Sequence, residues 1–171
     1  PQHDLGLPFH HATGLRRADP RAALCFRKAA VQGLAEAQTR LGQASMRGRG
    51  VPQDYEQAVD WFRKAIAQGS AEAHDLLGQC YGSGLGVALD LAEAVRWFRK
   101  AADQGSMFSQ YSLGLCYADG TGLPMDVAEA ITWLRKAAVQ GHIESQVDLG
   151  ILLYEGSDRA PDYGPEAVSW F

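Results

Sequence analysis

The sequence predicts an all-α fold, a right-handed superhelical α/α solenoid of 36-residue helix-turn-helix repeats, from three recurring markers. A Leu-Gly dipeptide returns every 36 residues, with its leucine at Leu5, Leu41, Leu77, Leu113 and Leu149. A Gln-Gly dipeptide keeps the same period, at Gln32, Gln68, Gln104 and Gln140. Tryptophan occupies matching slots at Trp61, Trp97 and Trp133, and at Trp170 after one inserted residue. Because no single helix pair can bury both of its faces, each repeat is expected to stack on the next.

These markers divide the chain into consecutive segments of one continuous solenoid domain. They are a degenerate N-terminal repeat, three full repeats and a truncated fourth repeat, at 1–33, 34–69, 70–105, 106–141 and 142–171. The last segment stops within its second helix, whereas solenoid ends normally carry polar caps. We therefore expect a longer native chain, or self-association through the uncapped ends, to cover the apolar edge.

The second helix of each repeat carries an apolar stripe with helical spacing. Positions i, i+3, i+4 and i+7 of the stripe are Ala58, Trp61, Phe62 and Ala65, and the pattern returns in the other repeats. An aspartate followed three residues later by Gln or Glu marks each start, at Asp54 and Gln57, Asp90 and Glu93, and Asp126 and Glu129. With this spacing the first side chain caps one free amide and the second reaches back to another. The helices end at glycines, namely Gly33, Gly69, Gly105 and Gly141.

The first helix of each repeat contains the Leu-Gly dipeptide, followed one turn later by Tyr81 or Tyr117 in the second and third repeats. A glycine lets the neighbouring helix approach closer than the usual ~8–10 Å, and the tyrosine fills the space beside it. Glycine-rich segments such as 82–86 come next. We interpret them as turns rather than phosphate-binding loops, because such a loop follows a strand and no strand is predicted.

Several of these positions together resemble the Sel-one-like repeat family, a relative of the tetratricopeptide repeat. The resemblance rests on the leucine-glycine, tyrosine and tryptophan-aromatic positions and on the Lys-Ala-Ala-x-Gln-Gly segments at 100–105 and 136–141. It covers essentially the whole chain, with departures at Pro8, at Ser45 in place of tyrosine, and at 157–160. The resemblance implies scaffolding and adaptor work, sometimes within signalling, envelope or secretion systems, and it implies no enzymatic activity.

Composition and charge exclude several classes of partner. The net charge of −4 and the pI near 5.7 leave no basic patch that could hold a nucleic acid backbone. No apolar run approaches the ~20 residues that a membrane span needs. Arg-Lys pairs recur at 27–28, 63–64, 99–100 and 135–136. We interpret this ladder as a solvated outer face, with binding of an acidic partner as the alternative. The compartment stays open between the cytoplasm and the bacterial periplasm.

Cysteine and histidine form no pattern typical of a metal site or a catalytic site. Cys25, Cys80 and Cys116 fit no metal or redox spacing. Equivalent points on successive repeats should lie ~10 Å apart, beyond the ~7 Å Cα limit for a disulfide, so we predict free thiols. His3, His10 and His11 cluster without a set of completing ligands. The sequence therefore predicts no metal, no cofactor and no catalytic residue.

The leading functional hypothesis is a non-catalytic scaffold or adaptor that holds a partner protein or peptide on the concave face of the solenoid. The alternative is an inhibitor or immunity-type protein that blocks a partner enzyme with its edge and turns, at 47–53, 83–89, 119–125 and 155–163. An enzyme would need a convergent set of titratable groups, and the sequence offers none.

In tetratricopeptide-like solenoids the first helices line the concave face, at positions five and two before the leucine and two, five and six after it. In the first two full repeats these positions are mostly polar and acidic: Glu36, Thr39, Gln43, Met46, Arg47, Glu72, Asp75, Gln79, Gly82 and Ser83. In the next two they are apolar with acidic edges: Phe108, Tyr111, Leu115, Ala118, Asp119, Glu144, Val147, Ile151, Tyr154 and Glu155.

The apolar set predicts a binding surface for an apolar partner segment with basic flanks. We expect Phe108, Tyr111 and Tyr154 to dominate affinity, with Asp75 and Gln79 as polar contacts in the preceding repeat. The alternative is that curvature buries Phe108 and Leu115 between repeats.

Overall fold

A computed structural model of the chain describes residues 20–156 and residue 170. These residues form eight α-helices, and no strand occurs among them. The helices are α1 (Pro20–Val31), α2 (Ala35–Arg47), α3 (Tyr55–Ile66), α4 (Ala71–Ser83), α5 (Leu91–Asp103), α6 (Met107–Asp119), α7 (Val127–Val139) and α8 (Ile143–Gly156). None of these described helices is long and apolar enough to cross a membrane. The predicted all-α repeat solenoid is confirmed. The N-terminal histidines, Pro8 and segment 157–160 lie outside the described residues.

The chain divides into two compact units, unit 1 at Pro1–Leu89 and unit 2 at Asp90–Phe171. Unit 1 contains α1 to α4 and unit 2 contains α5 to α8, and within each unit every helix packs on the next. Helix α6 begins 72 residues after α2, and α8 begins 72 residues after α4. Unit 2 therefore repeats the first helices of unit 1 two periods later, so that α6 corresponds to α2 and α8 to α4.

Aspartate caps start the second helices, as predicted. The Asp54 carboxylate accepts from the Gln57 N–H, Asp90 from the Glu93 N–H, and Asp126 from the Ala128 and Glu129 N–H groups. The other part of the prediction is wrong: the side chain three residues after each aspartate does not reach back to a free amide. Instead, the side chains of Gln57, Glu93 and Glu129 contact Ser45 Oγ, Arg96 Nη1 and Trp133 Nε1, respectively.

The reason lies in the backbone of the preceding helix. The Asp54 N–H already donates to the Ser45 carbonyl at 2.9 Å, and the Asp126 N–H donates to the Tyr117 carbonyl at 2.9 Å. A cap residue whose amide is already paired leaves no donor for the side chain three residues later. Ser45 thus has a structural role where the family pattern has tyrosine, because its buried hydroxyl also contacts Gln57 Oε1 at 3.2 Å.

Two turn glycines allow a close backbone approach. Gly86 has φ +70°, and a Cβ built on it would lie 2.3 Å from the Tyr55 carbonyl oxygen. Gly122 has φ +73°, and its Cβ would lie 2.3 Å from the Leu91 carbonyl oxygen. In each unit the turn after a first helix therefore packs directly on the start of the preceding second helix, and only glycine fits there.

The core of each unit is built on the leucine of the Leu-Gly dipeptide. Leu41, Leu77, Leu113 and Leu149 are buried. The neighbouring glycines allow close contact between helices, since a Cβ on Gly42 would lie 2.5 Å from Phe62 Cε1. A Cβ on Gly114 would likewise lie 2.8 Å from Leu134 Cγ. The packing role predicted for these helical glycines is confirmed.

The basic ladder contacts aromatic side chains of the same chain. The ammonium groups lie over the indole rings, with Lys64 4.1 Å from Trp61, Lys100 4.0 Å from Trp97 and Lys136 3.6 Å from Trp133. Two arginines of the ladder, Arg63 and Arg99, donate to the hydroxyls of Tyr81 and Tyr117. The lysines of α3, α5 and α7 are thus held against their own helices, and Arg63 and Arg99 contact the following first helix.

Candidate protein-binding surface

The apolar residues that the sequence nominates in unit 2 lie at its surface. Phe108 is 56% exposed, and Tyr111 and Leu115 are half-buried, all on α6. On α8, Val147 and Ile151 are both 43% exposed and Tyr154 is 69% exposed. We call this set the apolar face: Phe108, Tyr111, Leu115, Val147, Ile151 and Tyr154. The alternative in which curvature buries Phe108 and Leu115 is wrong for Phe108, which is exposed, whereas Leu115 is half-buried.

A histidine that sequence reasoning missed joins the two helices of the apolar face. The His142 ring lies 4.7 Å from the Tyr111 ring and 5.6 Å from the Phe108 ring, between centroids. Its Nδ1 accepts from the Ser145 N–H at 3.2 Å, so the imidazole caps the start of α8. Ser70 and Ser106 cap α4 and α6, two periods and one period earlier, respectively. The departure from serine in that series was the signal that could have identified His142.

Two carboxylates lie beside this aromatic cluster. The Tyr111 hydroxyl hydrogen-bonds to the Asp148 side chain, and Glu144 Oε2 lies 3.5 Å from His142 Nε2. Burial, then the charge and hydrogen bond of Asp148, and then the charge of Glu144 raise the pKa of Tyr111 above its ordinary value. The phenol therefore remains a neutral donor at physiological pH. Glu144 is largely exposed, and Asp119 is exposed at the end of α6.

The counterpart surface of unit 1 is covered by a polar network. Gln43 Nε2 donates to Glu72 Oε1 at 2.7 Å, and Arg40 Nη1 lies 3.6 Å from the same oxygen. Arg40 also contacts Gln43 Oε1 at 3.3 Å and Glu36 Oε1 at 4.0 Å. Thr39 is buried, and its hydroxyl lies 3.2 Å from Ser70 Oγ. The first helices of unit 1 thus satisfy their own polar groups.

The remaining nominated residues differ in accessibility. Asp75 is only 7% exposed and accepts from Gln79 Nε2 at 2.8 Å, while Gln79 itself is exposed. A partner would therefore reach Gln79 more readily than the carboxylate behind it. Glu155 belongs to the last turn of α8, and its side chain lies outside the described residues.

The thiols and one open depression of unit 2 offer little chemistry. Cys25, Cys80 and Cys116 are free, as predicted. Burial raises the pKa of the Cys80 thiol to about 11, and burial followed by the charge of Asp119 raises the pKa of Cys116. Among the described residues, no three His, Cys, Asp or Glu side chains are grouped to hold a metal ion. An open depression of about 510 Å³ is lined by Gln110, Thr132, Arg135, Lys136, Val139 and Gln140.

The chain is similar to known repeat proteins along its whole length. The family model described as Sel1 repeat matches residues 2–34, 35–70, 71–106, 108–142 and 143–171. No curated protein matches the sequence.

Solved structures show the same similarity. The structure of c5321, a protective antigen of uropathogenic Escherichia coli with an SLR fold, is 41% identical at a TM-score of 0.83. That match covers 91% of this chain but only 33% of the antigen, so this chain spans about a third of its length. A Sel1 repeat protein from Oxalobacter formigenes is 29% identical at a TM-score of 0.83, over 99% of this chain and 67% of that one. The immunity protein Pa5087 from Pseudomonas aeruginosa is 20% identical at a TM-score of 0.64 and shares the fold. That match covers 99% of this chain and 62% of the immunity protein.

Proposed function

Because this chain belongs to the Sel1 repeat family, whose repeats generally mediate protein–protein interaction, we propose that it is a scaffold or adaptor that binds a partner on the apolar face. Sel1 repeat proteins are generally of a non-catalytic type. The partner is a protein or peptide segment with an apolar centre and basic flanks.

The observation that carries this proposal is the exposure of the apolar face. Phe108, Val147 and Tyr154 keep 56%, 43% and 69% of their surface exposed, so each leaves apolar area in solvent after folding. Their counterparts in unit 1 are Glu36, Asp75 and Gly82, so the fold does not require an apolar side chain in these slots. Exposed apolar side chains grouped on one surface are typical of an interaction site.

Charge around the apolar face defines the flanks of the partner. Glu144 and Asp119 are exposed at its edges, and Asp148 lies beside Tyr111. Like-signed carboxylates attract lysine or arginine and repel an acidic segment, which sets the specificity and the association rate more than the affinity. The affinity itself comes from the aromatic residues, which contribute large contact areas at little cost in conformational entropy.

The test uses short random peptides displayed on phage and selected against the intact chain. For a selected peptide, Tyr111→Ala combined with Tyr154→Ala should weaken binding by at least ~2 kcal/mol, or roughly 30-fold, in a calorimetric titration. The helical circular dichroism should stay unchanged. The matched control is Gln43→Ala combined with Arg47→Ala on α2 of unit 1, which should leave affinity within about twofold. Equal losses in both double variants would contradict the proposal.

A second candidate, an inhibitor or immunity-type protein that acts through its turns, is favoured by one observation. Met125 and Val127 are exposed apolar residues that flank the N-cap of α7. The turn before them lies close against the chain at Gly122, which packs on the backbone of Leu91. If this edge binds the partner, Met125→Ser combined with Val127→Ser should abolish binding while the double tyrosine variant retains it.

A further inference from the structure

We infer that the apolar face binds an arginine side chain of its partner between Phe108 and Glu144, in the place where unit 1 holds its own Arg40. This inference rests on the proposed function and specifies the chemistry of the partner. It comes from the position-by-position correspondence of the two units, in which every residue of α6 and α8 has a counterpart 72 residues earlier.

In unit 1 this place is occupied from within the chain. The Arg40 guanidinium lies between two carboxylates, with Nη1 3.6 Å from Glu72 on α4 and Nη2 4.0 Å from Glu36 on α2. Gln43 supplies a further donor to Glu72 at 2.7 Å. The geometry of the first helices therefore accommodates a guanidinium at the contact between α2 and the start of α4.

In unit 2 the same place lacks its cation but keeps its acid. Glu144 is the counterpart of Glu72, whereas Ser112 replaces Arg40 and Leu115 replaces Gln43. A serine is too short to span the distance that an arginine covers, and a leucine offers no donor. Among the described residues, no lysine or arginine forms an ion pair with Glu144 or Asp148.

The third substitution selects arginine rather than a general cation. Phe108 stands where Glu36 stands in unit 1, so the place is bordered by an aromatic ring and a carboxylate instead of two carboxylates. A guanidinium is planar, stacks on aromatic rings and can pair with a carboxylate through two N–H groups. An ammonium is a compact, strongly hydrated charge and lacks this flat surface. An arginine next to an apolar anchor is thus the side chain that fits.

His142 leaves Glu144 available for this arginine. Its Nδ1 accepts from the Ser145 N–H, which places a ring proton on Nε2. From there it lies 3.5 Å from Glu144 Oε2, at the outer limit of a hydrogen bond. The carboxylate is largely exposed and retains free lone pairs for an incoming donor.

The decisive experiment combines two variants with a peptide analogue. Peptides selected from a random display library on the intact chain should carry arginine beside an aromatic or aliphatic residue. Replacing that arginine by citrulline, which keeps the shape but removes the charge, should weaken binding to the wild-type chain about tenfold, the effect of one charge-assisted hydrogen bond. The same replacement should change binding to Glu144→Gln by less than about twofold, since the partner charge is gone.

A second variant supplies the arginine from this chain instead of from the partner. Ser112→Arg should pair with Glu144 as Arg40 pairs with Glu72, and it should reduce affinity for the arginine peptide about tenfold while affinity for the citrulline peptide stays within about twofold. The mirror variant Arg40→Ser in unit 1 is the control and should leave both affinities unchanged. Circular dichroism verifies that each variant folds. If Ser112→Arg does not fold, the comparison of wild type with Glu144→Gln tests the inference alone.

Failure of the inference and failure of the proposed function give different results. Selected peptides that need Tyr111 and Tyr154 but show no arginine preference would overturn the arginine site and leave the apolar face as a binding surface. A citrulline penalty of equal size in wild type and Glu144→Gln would do the same. Peptides that ignore the two tyrosines, or the absence of any selected peptide, would overturn both.

Discussion

Helices α2 and α4 of unit 1 cover their surface with a polar network, whereas α6 and α8 of unit 2 present aromatic and aliphatic side chains in the same slots. Arg40 and Gln43 pair with Glu72 in unit 1, and their counterparts Ser112 and Leu115 leave Glu144 open in unit 2. The difference shows which positions of the repeat are constrained by folding and which are free to acquire function.

The constrained positions are the same in both units. The buried leucine, the glycine that follows it and the turn glycine all recur, at Leu41 and Leu113, Gly42 and Gly114, and Gly86 and Gly122. These residues fix how helices and turns approach each other. The comparison therefore predicts equal effects in the two units for changes in the shared frame, and unequal effects for changes in the face.

The largest expected effect concerns the shared frame. Gly86→Ala and Gly122→Ala should each destabilise the protein by about 3 kcal/mol, because each adds a collision with a backbone carbonyl to an unfavourable positive φ. Gly69→Ala and Gly141→Ala are controls with positive φ but open space around the Cβ, and they should cost only about 1 kcal/mol. Urea unfolding followed by circular dichroism measures all four. A cost in one unit far above the other would break the comparison.

The next effect separates the two helix caps. Ser70→Ala should cost about 1 kcal/mol by removing the cap of α4. His142→Ala should cost about 2 kcal/mol, since it removes both a cap and the ring contacts with Phe108 and Tyr111. His142→Ser restores the cap alone, so its stability should fall between those of wild type and His142→Ala in the same unfolding assay. A His142→Ser variant as stable as wild type would show that the ring contacts contribute nothing.

A smaller effect is expected when the arginine of the polar network is removed from unit 1 or introduced into unit 2. Arg40→Ala should destabilise unit 1 by about 0.5 kcal/mol, a modest cost because the partner carboxylates are partly exposed. Ser112→Arg builds the same pair with Glu144 in unit 2 and should stabilise it by a few tenths of a kcal/mol. Both effects should diminish in 1 M salt, since screening weakens exposed pairs. Destabilisation by Ser112→Arg would mean that α6 has no room for the side chain.

The smallest effect depends on pH. The pKa of Tyr111 is raised in the folded chain, so its contribution to stability is fully present below the ordinary tyrosine pKa of about 10 and is lost as pH rises through the folded value. Tyr111→Phe removes this titration, while the raised pKa values of Cys80 and Cys116 act equally in both proteins. The variant should therefore lose less stability than wild type between pH 8 and pH 11. Equal losses of stability in wild type and Tyr111→Phe would contradict the assignment of this pH dependence to Tyr111.

Local signals predicted much of the fold and part of the candidate surface. The aspartate caps and the terminating glycines mark helix ends through contacts within a few residues, which a sequence shows directly. The side chain of Gln57 was predicted wrongly because its partner, Ser45, belongs to the preceding helix. Phe108 and Tyr154 are exposed because the fixed period determines which way each position of the repeat faces. The near-complete burial of Asp75 depends instead on how neighbouring side chains cover it, which the period does not predict.

The His142 cluster shows the limit of reasoning from periodicity. Position 142 belongs to a series of caps, and a period predicts only that some cap will be present there. The contacts of its ring with Phe108 and Tyr111 depend on side-chain rotamers in two helices. No sequence pattern encodes these rotamers.

The stacked lysine and tryptophan side chains give the two units distinct optical labels. Trp61 is the sole tryptophan of unit 1, and its indole lies 4.1 Å from the Lys64 ammonium. Unfolding of α3 separates the charge from the ring and changes the fluorescence of that one indole. Repeat solenoids can unfold in parts, because each repeat contacts only its neighbours. A Trp61→Phe variant would leave emission from unit 2 alone, so the difference from wild type would follow unit 1 through denaturation without an added dye.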